Sequence, residues 1–485
     1  MKQKPNILVF MTDQQRGDSV SDPRIHLPNI RKLMAGGLTF SNAYCPSPHC
    51  CPSRATFLTG QYPTQHGVWN NVCVQNTLSR SLNPQSQCFS TPLVESGYRA
   101  FFAGKWHVCY DTGPEDHGFE ELFVTCNKES KQDPSSISMS PGWEMYQQLA
   151  ANTIAKERQP GEILRPGYPD YYHYGTTDNP FNDEDVIHSA IEKLRQLRRS
   201  KAPWLMYAGT LGPHDPYFVP QEFIDMYQDV NIELSDIHFD TMEDKPTYNR
   251  KIKKLFDQLS LEEKKQAIRH YWAFCTYEDH LLGLLMDELE YHDLSNTLVV
   301  VTSDHGDYNG EHGLWCKGLP AFKGAYHIPL VMHWPQGIVD GGREIKELVS
   351  LADIAPTITA LTDTSLDQAQ IGKSLLPFLH NQKSQHHSYL YTQTNGNEIY
   401  GIQRAVFNHQ WKFVHNTYDI DELYDLTSDP FEINNLAKHP EYSGKIRSMY
   451  KKLWRFAEQA NDQSLNPYIL VGMAQYGPAT AFEQE

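Results

Sequence analysis

No apolar run in this sequence is long enough to cross a bilayer. The first apolar stretch, residues 7–11, stops at Thr12, Asp13 and Gln14; it is too short for a signal peptide and no small-residue cleavage site follows. A membrane-spanning helix is thereby excluded and a cytoplasmic chain is expected, with a periplasmic or secreted form from a removed leader as the alternative. Basic charge is in short supply: 42 Lys and Arg face 59 Asp and Glu, a net charge of −17. Such a field excludes nucleic acid as a partner drawn by overall charge. An anionic substrate stays open, because a metal or a local Lys/Arg cluster reverses the sign inside a pocket. The nine cysteines are odd in number, irregular in spacing and without a CxxC pair; this argues against a disulfide framework and for reduced thiols. Internal repeats and low-complexity tracts are also missing. The 485 residues are enough for a large core and two or three structural units.

Short apolar strands alternating with amphipathic helices fill the first 380 residues. Strands are predicted over residues 6–13, ending in Asp13; 98–107, ending in Gly104, Lys105 and His107; and 203–216, running into a loop with His214. Two more fall over 296–307, ending at Asp304 and His305, and over 327–335. Helices are predicted over 183–198, where Val186, Ile187, Ala190, Ile191, Leu194 and Leu197 share a face, and over 262–289. Apolar strands alternating with helices indicate an α/β fold whose large, mostly parallel sheet is covered on both sides. Ligands bind such sheets at the carboxyl ends of strands. Four of those ends carry a carboxylate, an imidazole or an amine, which predicts one converging site. Residues 1–380 form the expected catalytic domain, with 127–182 an insertion near the site. Residues 381–460 read as a smaller antiparallel sheet with one helix at about 443–460, and 461–485 as a tail that wraps a neighbouring subunit of a homo-oligomer.

The stretch "HCCPSRATFLTGQ" (residues 49–61) holds the most pointed chemistry. Pro52 suits the first position of a helix and Gly60 the residue just past its end, which leaves a helix of about two turns. Cys50 then sits just before the N-terminus, where free N–H groups and the helix dipole favour negative charge. Arg54, one turn in, can point back toward it. A thiol so placed is acidic and reactive; the plainer reading is two small buried thiols. Cys50 and Cys51 are too close to bridge without strain, and a metal knuckle lacks partners at ligand spacing.

Cys50, Pro52, Arg54, Thr59 and Gly60 resemble the signature of the sulfatase family. "GKWH" (104–107), "GPHDP" (212–216), "SDHGD" (303–307), "GEHGLWCKG" (310–318), "IPLVMHWP" (328–335), "LADIAPTI" (351–358) and "ELYDLTSDPFEINNL" (422–436) resemble further sulfatase landmarks in sulfatase order. The resemblance runs from about residue 5 to 454. It implies the alkaline-phosphatase-like sandwich with a smaller C-terminal domain, and hydrolysis of a sulfate monoester on a sulfated small molecule or glycan, most readily a carbohydrate. It also implies that Cys50 is oxidised by a formylglycine-generating enzyme, and that the geminal diol of the formylglycine hydrate is the nucleophile. Cys51 is then only a spacer. Asp13, Gln14, Asp304 and His305, with residue 50, would hold one divalent cation, a Lewis acid and template. Lys105 and Lys317 would hold sulfate oxygens and His214 would protonate the leaving alcohol. His107, beside Arg54, would take a proton from the diol so that sulfate is expelled.

Many sulfatases carry two consecutive acids at the first strand end and Asp-Asn at the later one; here the pairs are Asp13-Gln14 and Asp304-His305. These pairs resemble the choline-sulfatase and phosphonate monoester hydrolase branches. Calcium is the family default, and the imidazole brings in manganese, with magnesium a third choice. Two other functions stay in view: a phosphonate monoester or phosphodiester hydrolase with the same nucleophile, and an inactive binding protein with unmodified Cys50. His66, His117 and His312 are expected to be structural or solvated. Asn70 and Asn71 are expected in a turn. The Tyr-rich run 167–175 either lines a sugar subsite or covers the core.

Overall fold

Successive side chains of a strand face opposite sides of its sheet, and strand β1 (Asn6–Thr12) shows the consequence. Ile7, Val9 and Met11 enter one core, and Leu8 and Phe10 the other. A continuous apolar run is what a strand buried on both faces requires. The computed structural model describes residues 4–73, 77–125, 143, 146–147, 157–165, 171–397, 399–465 and 468–483. Beside β1, the main sheet contains β2 (Leu38–Phe40), β3 (Arg99–Lys105), β4 (Glu120–Thr125), β5 (Trp204–Gly209), β6 (Thr297–Ser303), β7 (Leu330–His333) and β8 (Arg343–Ile345). Their order is β8-β2-β7-β6-β1-β5-β3-β4, and within this sheet β7 alone runs antiparallel to its neighbours.

Helices cover both faces. On one side lie α1 (Pro28–Gly36), α3 (Asp183–Leu197) and α4 (Leu261–Leu289), which bury Ile30, Leu33, Val186, Ile187, Leu194, Leu281 and Leu285 against Leu8, Phe10, Met206 and Val299. On the other lie α2 (Cys50–Thr59) and α5 (Ile354–Leu361), which pack on Val9, Met11, Tyr207 and Val300. The 29-residue α4 opens on a capping box, in which Ser260 accepts from Glu263 N–H and Glu263 accepts from Ser260 N–H.

The chain then forms a four-stranded antiparallel meander, β9 (Leu390–Thr394), β10 (Gln403–Phe407), β11 (Trp411–Asn416) and β12 (Glu422–Asp425), in sequence order. Helix α6 (Ser443–Gln459) lays Ile446, Met449, Tyr450 and Leu453 on Val406, Phe413 and Leu423. The described part of the tail lies along its own α6 rather than reaching away. Trp454 Nε1–H donates to Tyr476 O, Arg455 Nε–H to Ala481 O, and Arg447 pairs with Glu483. The apolar contacts that hold it, Leu465 and Ala481 with the half-buried Val471, Ala474 and Tyr476, are too irregularly spaced to show as a periodic pattern. Most of residues 127–156, in the expected insertion, and 167–170 of the Tyr-rich run lie outside the described residues.

Candidate active site

β6, β1, β5 and β3 are adjacent and parallel, so their carboxyl ends open on one edge. Thr12 pairs with Ser303, and beyond each the chain leaves the sheet at an aspartate, Asp13 and Asp304. Backbone bonds fix these exits. Asp304 N–H donates to Thr12 O at 3.3 Å, and Asp13 N–H to Gly212 O at 3.1 Å, in the loop that carries His214. At the end of β3, Gly104 has φ +101°, and a Cβ there would lie 1.8 Å from Gly209 O. Glycine alone lets β3 and β5 close at this point. The next residue, Lys105, puts its Nζ 2.5 Å from Asp13 Oδ2.

Helix α2 brings residue 50 to the same place. It ends at Gly60 in the left-handed conformation (φ +68°), as expected, but it begins at Cys50 and not at Pro52. Pro52 is tolerated at the third position because N–H groups of the first turn have no acceptor within the helix. Cys50 therefore lies inside the first turn rather than before it. Arg54 does not reach for residue 50. Its guanidinium is committed to Asp304 Oδ2 (2.8 Å), Asp13 Oδ2 (3.1 Å), Tyr207 Oη (2.9 Å) and Lys105 O (3.1 Å), all buried. It ties three strand ends together from below. Cys51 N–H donates to Asn71 Oδ1 and Cys51 Sγ accepts from Val72 N–H, so this spacer ties the loop at Asn71 and Val72 to the start of α2.

Around Cys50 Sγ stand His305 Nε2 at 3.2 Å and Asp13 Oδ1 at 3.8 Å, and the His107 side chain reaches the same thiol. Burial alone would raise the Cys50 thiol, yet Lys105, Lys317 and His305 pull it well below the usual cysteine range. The environment is thus built for an anion at this position. Asp13, also subject to burial and to the thiol, is held below the carboxylate range by Lys105, His214 and Arg54. Burial and Asp13 push Asp304 up. Ligand atoms of Asp13, Cys50, Asp304 and His305 all lie within 4.8 Å of one another, and all four residues are buried. Two buried carboxylates and an imidazole so close together fit a divalent cation, which would relieve their mutual repulsion.

Opposite them, Lys317 Nζ lies 2.5 Å from His214 Nε2 and 2.6 Å from Gln14 Oε1. The ammonium donates to both, and His214 Nδ1–H is left to donate to Asp215 O at 2.5 Å. Gln14 is therefore one step from the four converging donors. Its Oε1 accepts from Lys317, and its amide donates to Asp307 Oδ2 (2.5 Å) and Asp215 Oδ1 (3.1 Å). To join a metal it would have to release Lys317.

A family model for sulfatases matches residues 5–364, and a second, for the C-terminal part of N-sulphoglucosamine sulphohydrolase, matches 310–459. This chain belongs to the sulfatase family. It is a sulfuric ester hydrolase on the alkaline-phosphatase-like α/β fold. The sulfatase is 28% identical over 463 residues to a choline-sulfatase of Rhizobium meliloti, covering 90% of this chain and 83% of the relative. It is 27% identical to an arylsulfatase of Clostridium perfringens, covering 93% and 94%. A phosphonate monoester hydrolase of Agrobacterium radiobacter superposes with a TM-score of 0.75 at 22% identity, covering 94% of this chain and 96% of that one.

In this sulfatase the residues singled out from sequence, Asp13, Gln14, Cys50, Arg54, Lys105, His107, His214, Asp304, His305 and Lys317, are joined in one network of contacts. Sequence reasoning missed Asp215, Asp307 and Tyr217, whereas Tyr171 belongs to the Tyr-rich run 167–175. Asp215 takes the Tyr171 hydroxyl (3.0 Å), Asp307 takes the Tyr217 hydroxyl (2.6 Å), and burial pushes the Asp307 carboxyl up to about 6. Asp215 lies within the segment 212–216 and Asp307 within 303–307, and that was the available signal. His312 is structural, stacked on Phe322 and bonded to Asp240. His66 and His117 bond Thr56 and Thr112. Asn70 Oδ1 accepts from Leu78 N–H within its loop.

Proposed function

We propose that this sulfatase hydrolyses a sulfate monoester of a carbohydrate with formylglycine, made from Cys50, as nucleophile. The observation that carries the reading is the cationic surround of residue 50, which draws even an encoded thiol toward its anion. Cys50 Sγ stands in here for a hydroxyl of the hydrate. Formylglycine supplies two geminal hydroxyls, one to attack sulfur and one to expel sulfate afterwards, which a plain serine could not do. A divalent cation, calcium or manganese, bound by Asp13, Asp304, His305 and residue 50 would supply Lewis acidity toward a sulfate oxygen.

The chain's own residues divide the remaining work. Arg54 holds the carboxylates of Asp13 and Asp304 in place. Lys105 and Lys317 approach residue 50 and are the cations able to meet sulfate oxygens as charge develops. The Lys317–His214 pair holds a transferable proton for the leaving alcohol, with Asp215 O fixing the imidazole ring. His107, whose side chain reaches residue 50, is placed to take the proton of the second hydroxyl. Relatives named N-acetylglucosamine-6-sulfatase, from goat and human, support the carbohydrate reading. A reducing, cytoplasmic setting belongs to the same proposal, and none of the eight described cysteines is in a disulfide.

Mass spectrometry of the peptide spanning Cys50, after co-expression with a formylglycine-generating enzyme, tests this. An aldehyde-reactive peptide lighter than the encoded one is expected. An intact thiol in protein that turns over aryl sulfate would refute the nucleophile assignment.

A further inference from the structure

A second group of metal-type donors lies at the junction between the main domain and the meander and shares no residue with the catalytic site. Asp353 caps α5, and His386 and His387 immediately precede β9. His386 Nε2 lies 2.9 Å from Asp353 Oδ2, and His387 Nε2 lies 2.9 Å from Oδ1 and 3.1 Å from Oδ2. The Asp353 and His386 side chains are almost fully buried, and that of His387 is 12% exposed.

Three features of this cluster go beyond an ordinary buried carboxylate. Side chains of consecutive residues in extended chain normally face opposite ways, yet both imidazoles turn to one carboxylate, with ring centroids 4.5 Å apart. Each carboxylate oxygen already holds a backbone donor on one lone pair: Ser350 N–H on Oδ2 at 2.8 Å and Lys373 N–H on Oδ1 at 2.7 Å. Ligating carboxylates are characteristically oriented by such outer hydrogen bonds. The remaining lone pair on each oxygen faces an imidazole nitrogen. The three ligand atoms lie within 4.8 Å of one another, and opening the 2.9–3.1 Å spacings by a few tenths of an ångström reaches the roughly 3.3–3.6 Å edge of a tetrahedron whose metal bonds are about 2.0–2.2 Å.

We propose that Asp353, His386 and His387 bind a structural zinc ion that fastens the start of α5 to the chain entering the C-terminal meander. Two imidazoles and one carboxylate are a zinc-type donor set, and the partial exposure of His387 gives the ion a route in and leaves a position for water. Each imidazole would present its Nε2 lone pair to the cation and carry its one remaining proton on Nδ1.

Chelator-stripped wild-type protein and the double variant His386→Gln/His387→Gln are titrated with zinc chloride alone, and bound zinc is counted by mass spectrometry. Wild type is expected to retain one equivalent more than the variant, whatever the catalytic site holds. The variant is expected to keep its aryl-sulfate turnover within about twofold and to lose a zinc-dependent rise in Tm on the order of a few degrees. Equal zinc in the two proteins overturns the proposal and leaves two Nε2–H donors on a carboxylate. Should the variant not fold, crystals of wild-type protein grown with equimolar zinc decide instead: an anomalous peak between the three side chains is expected at the zinc edge, and its absence overturns the site.

Discussion

Replacing Lys317 by alanine separates two contributions that the geometry assigns to one ammonium. Its Nζ lies 2.5 Å from His214 Nε2 and 2.6 Å from Gln14 Oε1, and it is one of the cations that lower the Cys50 thiol. Removing a preorganised donor aimed at transition-state charge costs about 10²–10³ in kcat, or ~2.7–4 kcal/mol. That loss applies to every substrate. The second loss is proton delivery: without Lys317, Nε2 of His214 has no donor to recharge it, and general-acid help is worth roughly 10²–10⁴. It matters only where the leaving alcohol needs a proton. Steady-state kinetics of Lys317→Ala with 4-nitrophenyl sulfate and with an alkyl sulfate should therefore diverge. The nitrophenyl ester should lose about 10²–10³ in kcat, and the alkyl ester at least ~10-fold more. Lys317 sits half-buried in a loop outside the apolar cores, so the variant should unfold near the wild-type Tm. A loss under about tenfold with both esters would refute the charge role; equal losses would refute the proton role.

Arg54→Lys keeps the charge but cannot reproduce four directed bonds to Asp304, Asp13, Tyr207 and Lys105 O. Breaking a buried pair costs up to about 3–5 kcal/mol, so in a chain of this length thermal unfolding should show a Tm lower by roughly 3–5 °C; an unchanged Tm would mean Arg54 does not hold the strand ends. Glu278, on α4, is raised well above 4.5 by burial and then by Asp183, whose own carboxyl burial pushes up to about 7. A carboxyl raised on folding stabilises below its unfolded value and loses that stability as pH rises toward the folded one. Glu278→Gln should therefore remove a falling slope of about 1.4 kcal/mol per pH unit above pH ~4.5 from urea-unfolding free energies; an unaltered slope would show that Glu278 is ionised in the fold.

The fold was legible because its strands are apolar on both faces and its helices on one. Phe10 and Val9 must both be buried, and only a two-sided sheet does that. The antiparallel β7 was not legible, since its Leu330–His333 run reads like any other buried strand. The start of α2 was missed because proline at the first position is a preference, and any first-turn position also spares the hydrogen bond. Local spacing placed Arg54 near residue 50, whereas partners 41 and 250 residues away in sequence, Asp13 and Asp304, capture it. Asp215 and Asp307 escaped for the same reason: their work is to hold Gln14 and two tyrosines brought in from other elements.

The choice between sulfate and phosphonate turns on the third non-bridging position of the substrate. A sulfate monoester presents three oxygens there, and a phosphonate monoester presents two and a carbon. Arg54 is fully occupied, so it cannot face either. Asp13, His305, His107, Lys105 and Lys317 surround residue 50, all polar or charged. A carbon substituent set among them would leave a buried donor unpaired, at about 1–3 kcal/mol, equivalent to roughly 10–200-fold in kcat/KM. Aryl sulfate should therefore be preferred over a matched aryl phosphonate by at least about tenfold, each rate taken relative to its uncatalysed reaction. The reverse order would mean that the third position is apolar and that this member of the family works as a phosphonate monoester hydrolase.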